Sequence, residues 1–531
     1  MFDLLPYTLV PDTSAGQDAS RKNAGQNTVQ QKCRRLRESE HRIYCSTAEE
    51  RTSLQKGGDI MLSYDLSASC FIAVDMKSYY ASVEAVSRGL DPLKVRLLVA
   101  DPSRSDQTIC LAVSPALKEI GVPSRPRLFE AKRAIRDYEL RTRSRVDYII
   151  ATPRMALYEQ ISAKIYSILL RYAAAEDIHV YSVDESFIYC TPYLNFYRSE
   201  ACRQGVHPAH VMAMTMIRTI LKETGITATI GIGTNLYLAK VCMDITAKKS
   251  PPDENGVRIA ELNEVSYCYR LWDHRPLVDF WMIGPGKARR LEKNALFTMG
   301  DIAARSQYDE EFFYKTFGID GEILIAHAWG MDPVTMKDIK EYRSSGHSLS
   351  SGQVLPRPYS YQEARIVFSE MIDGLCSEMF LKQLLAPKFT WWVSYDWKSL
   401  EACPYYDGEV VLDFYGRLHP KHSNGTVRMP METNSAAIAA PRILAAFDAG
   451  TDHRLLFRRL GVCAEGTHED YGYYQMNLFI DYEALEREKR LQGAISEIRG
   501  RFGAGGIFTG KNMLKGATQL ERNRQIGGHR A

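Results

Sequence analysis

The 531-residue chain has no apolar run long enough to span a bilayer, which takes about 20 consecutive apolar residues. It has no CxxC pair. Its 11 cysteines are scattered without metal-ligand spacing, which argues against a zinc site or a disulfide framework and for reduced thiols in a cytoplasmic protein. It has little net charge: 67 Lys and Arg stand against 64 Asp and Glu, a formal +3. Any nucleic-acid contact must therefore come from local patches. No repeat of solenoid period is present. Met1 opens no signal peptide, because a charged start and an apolar h-region are missing. With 45% hydrophobic and 25% charged residues, the chain is not disordered as a whole, and its length exceeds one ordinary core, enough for three to four domains.

Residues 1–60 are poor in apolar periodicity and rich in Ser, Gln, Asn and charge, which predicts disorder over 1–66. A second reading stays open. Lys56-Gly57-Gly58-Asp59-Ile60-Met61 back-translates to a purine-rich stretch ahead of an ATG, so the first sixty residues can also be untranslated leader read as protein, with the start at Met61.

Cys70-Phe71-Ile72-Ala73-Val74 reads as a buried strand ending at Asp75. A helix follows from Tyr79 to Ser87. Residues 92–150 alternate short apolar runs with turn residues. Leu157, Ile161, Ile165, Ile168 and Leu169 recur at helical spacing. Val180–Val183 and Phe187–Tyr189 read as a hairpin with Asp184 and Glu185 at its tip. Thr227–Ile232 is a further strand, leading through Gly233-Thr234-Asn235 into a helix expected to run to about Lys248. Residues 255–335 look helical, 341–352 read as a Ser/Gly linker, and Phe389–Tyr395 and Glu409–Phe414 are strands of a second mixed domain. Near the C-terminus Leu491, Ile495, Ile498 and Phe502 lie on one helical face, and from Asp481 onward ten basic residues face six acidic ones.

Asp75, Asp184 and Glu185 carry the chemistry. An acidic dipeptide alone is usually a solvated turn. If the two strands are neighbours in one sheet, however, three carboxylates converge, and they repel unless a cation holds them. Hard oxygen ligands suit Mg²⁺. Two such ions about 3.5–4 Å apart activate a hydroxyl nucleophile and stabilise a leaving pyrophosphate.

Phe71-Ile72-Ala73-Val74-Asp75-Met76-Lys77-Ser78-Tyr79-Tyr80 and Tyr181-Ser182-Val183-Asp184-Glu185-Ser186 together resemble the two metal-binding motifs of Y-family, translesion DNA polymerases. Gly231-Ile232-Gly233-Thr234-Asn235 with Leu238-Ala239-Lys240 extends the match, closest to the UmuC-like bacterial branch. The resemblance covers about residues 68–531 in order and spacing. It implies an α+β right hand: palm over 67–88 and 151–254, fingers over 89–150, a helix–hairpin–helix thumb over 255–340, a linker over 341–352, an α/β little finger over 353–465, and a clamp-binding segment with a basic tail over 466–531.

The resemblance also implies roles. Asp75 and Asp184 would bridge two Mg²⁺ ions, with Glu185 completing the site and the Met76 carbonyl touching the nucleotide-side ion. Lys77 stands where many relatives carry a second acid. Tyr80 falls at the steric gate, beside Tyr79, where a ring against C2′ of the incoming sugar excludes ribonucleotides. Lys248, or Lys249 one residue on, would hold the triphosphate. In the fingers, Ser114-Pro115-Ala116-Leu117-Lys118 replaces a Tyr and Arg pair, and Lys118 lacks the fork of Arg; Arg125 and Arg127 are nearby substitutes or plain surface charges. The Gly231 turn lacks the Lys-Ser/Thr of a Walker loop and reads as a tight strand-to-helix turn.

Trp281-Met282-Ile283-Gly284-Pro285-Gly286-Lys287 resembles the thumb hairpin, whose Gly284, Gly286 and Lys287 would meet primer-template DNA through its backbone. Lys388, Arg417, Lys421 and Arg428 are phosphate-contact candidates or solubilising charges. Gln475-Met476-Asn477-Leu478-Phe479 fits the peptide by which bacterial polymerases dock on the sliding clamp, with Gln475, Leu478 and Phe479 as anchors; a strand burying Leu478 and Phe479 is the alternative. The implied activity is error-tolerant, template-directed addition of deoxynucleotides in damage tolerance, in the cytoplasm and without a membrane partner. A non-catalytic clamp-tethered protein and a nucleotidyl cyclase are the rivals.

Overall fold

The computed structural model describes residues 69–342, 346–413, 415–472 and 481–530. The N-terminal segment and the clamp-type peptide at Gln475, Leu478 and Phe479 lie outside the described residues. The chain divides into two compact units at residues 343/344.

The first unit opens with β1 (Phe71–Met76) and α1 (Tyr79–Val86). A small lobe follows: β2 (Leu97–Val99), β3 (Ala112–Val113), α2 (Pro115–Glu119), α3 (Leu128–Thr142) and β4 (Ile149–Ala151). Its three strands pair in the order β3-β2-β4, around Leu98, Cys110, Val113, Leu117, Leu128 and Ile135. The fifteen-residue α3 was hidden in sequence by Pro123 and Pro126 just before it. It starts where Glu130 accepts a hydrogen bond from the Arg127 amide at 2.7 Å.

The chain then forms α4 (Met155–Leu169), β5 (Ile178–Val180), β6 (Glu185–Tyr189), α5 (Arg198–Gln204), α6 (Pro208–Thr224), β7 (Ala228–Gly233), α7 (Leu236–Val241) and β8 (Arg258–Leu262). The sheet order β5-β6-β1-β7-β8 puts β1 in the middle. Period-2 alternation sorts its side chains. Ile72, Val74 and Met76 pack with Ile188 and Ile230 under α4 and α6; Phe71 and Ala73 face Leu236, Ala239 and Met243 on the other side. Asp75 continues that second face at the open end.

Residues 255–335, expected to be a small helical domain, begin with β8, which pairs parallel to β7 and so belongs to the central sheet. The helices α8 (Glu264–Leu271), α9 (Pro285–Glu292), α10 (Met299–Ser306), α11 (Glu310–Phe317) and α12 (Ile319–Ala328) make the helical part. Then α13 (Met336–Glu341) returns to the sheet: Met336 is buried beside Phe187, and Lys340 Nζ donates to the Ile178 carbonyl at 2.7 Å.

The second unit begins with β9 (Ser348–Tyr359). The expected linker over 341–352 is therefore shorter, because Ser348 to Gly352 pair with the strand Phe457–Glu465; small side chains alternating on a sheet face look like linker composition. The unit continues with α14 (Tyr361–Leu381), β10 (Leu384–Tyr395), α15 (Ser399–Ala402), β11 (Val410–Leu412), β12 (Leu418–Pro420), β13 (Ser423–Thr433), α16 (Ala436–Gly450), β14 (Phe457–Glu465), β15 (His468–Glu469) and α17 (Tyr482–Phe502). The main sheet runs β13-β10-β14-β9. The run Glu409–Phe414 supplies β11, which among the described residues pairs with β12 and not with that sheet. Trp391 is buried and Trp392 lies exposed on the opposite face. On α17 the expected apolar face is half open: Leu491 is 59% and Phe502 74% exposed, while Ile495 and Ile498 are half-buried; Leu485 is the buried residue.

The stretch after α17 is part of this fold, not a free tail. Glu370 of α14, 2% exposed, accepts from Asn512 Nδ2 at 2.6 Å and from the amides of Thr518 and Gln519 at 2.8 and 3.2 Å.

Candidate active site

Register places the acids. Asp75 lies opposite Glu185 across the β1–β6 ladder, and Met76 N donates to the Asp184 carbonyl at 2.9 Å. The hairpin tip is held because the amides of Tyr181 and Ser182 both donate to the Glu185 carbonyl. A one-residue slip would turn Asp75 into the core under α4 and α6.

Two lysines meet these acids. Lys240 Nζ lies 2.7 Å from Glu185 Oε1, donates to Oε2 at 2.8 Å, and reaches Asp244 Oδ2 at 2.9 Å. Lys248 Nζ lies 2.8 Å from Asp244 Oδ1 and 3.4 Å from Asp75 Oδ2. Ser182 Oγ donates to Asp184 Oδ1 at 2.7 Å. Burial, reinforced by Asp184, raises the Asp75 pKa against the pull of Lys248. Burial pushes Glu185 up to about 7 although Lys240 opposes it.

The sequence expectation of three converging carboxylates is met by the strands but not by the side chains. Among the described residues no three acidic, His or Cys side chains meet closely enough to ligate one ion. The lysines and Ser182 hold the acids instead. The residues nevertheless fit a divalent cation. Four carboxylates (Asp75, Asp184, Glu185 and Asp244) stand with two ammonium groups, so acid charge is in excess. Hard carboxylate oxygens in excess suit Mg²⁺.

Lys240, Asp244 and Lys248 ride on one segment. Asn235 caps α7, accepting from the Leu238 amide at 2.8 Å. The helix then widens into a π-turn over Cys242–Thr246 and tightens into a 3₁₀ turn over Ala247–Lys249, so the expected single helix to Lys248 is interrupted. Such wide turns concentrate at functional sites. The segment lies directly on β7 because Gly231 and Gly233 have no side chains. A Cβ on Gly231 would stand 2.2 Å from the Ala239 carbonyl oxygen and 2.3 Å from Met243 N. Sequence reasoning quoted Lys240 without a role and missed Asp244; the spacing of Asp244 four residues from each of Lys240 and Lys248 was the available signal.

The other expected site residues divide. Tyr80 is half-buried at the rim, its ring 4.6 Å from Tyr158. Tyr79 is 2% exposed and its hydroxyl donates to the Tyr158 carbonyl at 2.6 Å, so its side chain serves the core and not a ligand. Ser114 is likewise buried, accepting from the Leu97 amide at 3.0 Å, which corrects its expected nucleotide contact. Lys118 reaches the site: its Nζ donates at 2.9 Å to Ser78 Oγ, in the left-handed turn after Met76 (φ 48°). Arg127 donates to the Gln107 carbonyl, and Arg125 is exposed.

In the helical part, Gly284 caps α9 and a Cβ on Gly284 or Gly286 would meet nothing within 4 Å, leaving bare backbone at a helix start. Lys287 pairs with Asp320 at 2.8 Å. In the second unit Lys388, Arg417 and Lys421 pair with Glu465, Asp413 and Glu409, whereas Arg428 makes no ion pair among the described residues.

The fold, with the similarities that follow, identifies a DNA-directed DNA polymerase. Residues 74–244 match the model of the impB/mucB/samB family. The chain is 27% identical over 464 residues to the putative UV-damage repair protein UvrX of Bacillus subtilis (strain 168), covering 87% of this chain and 97% of that one. It is 37% identical over 114 residues to the DNA repair protein homolog YozK of the same organism, covering 21% of this chain and 90% of the relative. Among solved structures it resembles a Y-family DNA polymerase chimera, Dbh-Dpo4(243-245)-Dbh, with a TM-score of 0.50 at 18% identity, over 75% of this chain and 99% of that one. The chain belongs to the impB/mucB/samB family, the UmuC-like branch of the Y-family DNA polymerases. Polymerases of this family generally use divalent metal ions. No helix among the described residues is long and apolar enough to cross a membrane.

Proposed function

We propose that the chain extends a primer 3′ end opposite damaged template, adding deoxynucleotides with two Mg²⁺ ions in an error-tolerant damage response. The observation that carries this is the β1–β6 register, which sets Asp75 against Glu185 with Asp184 one residue away. When bound, the ions would activate the primer hydroxyl and stabilise the departing pyrophosphate. Asp75, Asp184, Glu185 and the Met76 carbonyl would hold them. Lys248 and Lys118 would bind the triphosphate as point charges, and the Tyr80 ring would exclude a 2′-hydroxyl.

The central sheet with α4 and α6 would be the palm, β2–β4 with α2 and α3 the fingers, α8–α12 the thumb, and the second unit the little finger. Backbone contacts at Gly284 and Gly286 and the cation of Arg428 would grip the duplex without reading sequence. The Gln475–Phe479 peptide supports docking on a sliding clamp. Primer extension on undamaged and abasic templates, with and without clamp, tests the reading. Wild type extends both, Asp184→Ala extends neither, and Tyr80→Ala admits ribonucleotides. A Tyr80→Ala enzyme that still rejects them overturns the gate, and an active Asp184→Ala enzyme overturns the site.

A further inference from the structure

We infer that Lys240 is a positioning residue of this site: a buried internal counter-cation that anchors the Glu185 carboxylate and offsets acid charge that a divalent ion would otherwise have to offset. The inference rests on the metal-dependent reading above.

Lysine is almost never buried unless paired, and Lys240 is only 8% exposed. Its surroundings fix it on three sides. Glu185 and Asp244 grip the ammonium. The Tyr181 ring faces it at 5.7 Å, a cation–π contact. Tyr181 is in turn held edge-on by Trp281 at 6.1 Å. Lys248 differs: its side chain is 47% exposed, so it can leave Asp75 for an arriving triphosphate at little desolvation. Asp244 holds both lysines, one fixed and one movable.

Lys240 Nζ holds both Glu185 oxygens, donating to Oε2 at 2.8 Å and lying 2.7 Å from Oε1. A fixed cation at that distance keeps the Glu185 carboxylate in one orientation and lowers the repulsion among four carboxylates.

The test uses the full chain and two readouts: thermal unfolding in EDTA against Mg²⁺, and the Mg²⁺ dependence of primer extension. Lys240→Met removes the charge at nearly constant volume. It should melt lower than wild type in EDTA and gain more from Mg²⁺. It should reach half-maximal extension at about tenfold lower Mg²⁺, because a unit charge at contact distance is gone. Its kcat should fall while KM for deoxynucleotide stays close to wild type. Lys240→Arg restores the Mg²⁺ response. If Lys240→Met does not fold in EDTA, the charge-balanced pair Lys240→Met/Asp244→Asn takes its place, with near-wild-type melting but a kcat still reduced. Wild-type kcat and wild-type Mg²⁺ dependence in either variant overturn the inference. A wild-type enzyme that fails to extend primers overturns the functional reading instead, whatever the melting curves do.

Discussion

A methyl group on Gly231 should disable the enzyme from beneath. Its Cβ would sit 2.2 Å from the Ala239 carbonyl and 2.3 Å from Met243 N. Both are backbone atoms, so no side-chain rotation relieves the clash, and the segment carrying Lys240, Asp244 and Lys248 must lift off β7. Overpacking of this kind costs about 3 kcal/mol, the upper end for an added methyl. For a unit of this size that lowers the melting temperature by about 6 °C or more. Activity should fall further than stability, by about 100-fold, since ångström displacements of positioning groups have that effect. Gly286→Ala is the control, because a Cβ there meets nothing within 4 Å. It lies inside α9, so alanine should stabilise by about 0.5–1 kcal/mol. If its bare backbone meets a DNA phosphate, affinity should drop. Differential scanning calorimetry, steady-state extension and fluorescence anisotropy at fixed salt read the three quantities. A Gly231→Ala protein that melts and extends like wild type refutes the close packing of α7 on β7.

Two further outcomes follow from buried carboxylates. The Glu84 side chain is fully buried and accepts from Arg154 Nε and Nη2 at 2.9 and 2.8 Å and from Tyr158 Oη at 2.8 Å. Burial raises its pKa, but hydrogen bonds from Arg154, Arg88 and Tyr158 outweigh that and leave it lowered. A lowered carboxylate stabilises the fold above its unfolded pKa, and that contribution is lost as pH falls through the folded value. Glu84→Gln should therefore cost about 1–3 kcal/mol near neutral pH, and the gap to wild type should begin to narrow only as pH falls below about 4; parallel pH–stability curves would refute this. Truncation after Phe508 strands the Glu370 carboxylate that holds Asn512, Thr518 and Gln519. It should destabilise the second unit by about 2–3 kcal/mol, read by calorimetry. An unchanged second-unit transition would mean that the C-terminal stretch does not belong to that core.

Local signals with one strong period were legible in the sequence. The strand ending at Asp75, the acidic hairpin and the helix of Leu157 to Leu169 needed only alternation or helical spacing. What stayed hidden depends on contacts distant in the chain. Whether Ser114 and Tyr79 face a ligand or the core is decided by the Leu97 amide and the Tyr158 carbonyl, which nothing near them announces. Ser348 to Gly352 read as linker because small polar residues suit a sheet face as well as a loop. The apolar face of α17 looked like a core face, yet Leu491 and Phe502 remain exposed. The glycines at 231 and 233 were recognised as a turn, while their main use is the approach of a helix onto a strand. Lys240 and Asp244 were visible as a charge spacing but carried no meaning until the hairpin was set opposite them.

The site thus separates rigid from movable charge. Asp75 and Glu185 sit on paired strands whose register cannot slip without burying Asp75, and Asp184 lies in the bend just before β6. The cations sit on a helix broken by a π-turn, where one wide turn carries Asp244 between a buried and a half-exposed lysine. A substrate bringing phosphates can draw Lys248 away without disturbing Lys240, because the two share Asp244 through different oxygens, Oδ1 and Oδ2. Movement of Lys248 would release Asp75 while Lys240 still holds Glu185. On the proposed reading, deoxynucleotide binding would then precede full assembly of the metal site. It follows that prebinding triphosphate should raise the apparent affinity for Mg²⁺ in wild type and should do so less when Lys248 is replaced by Met.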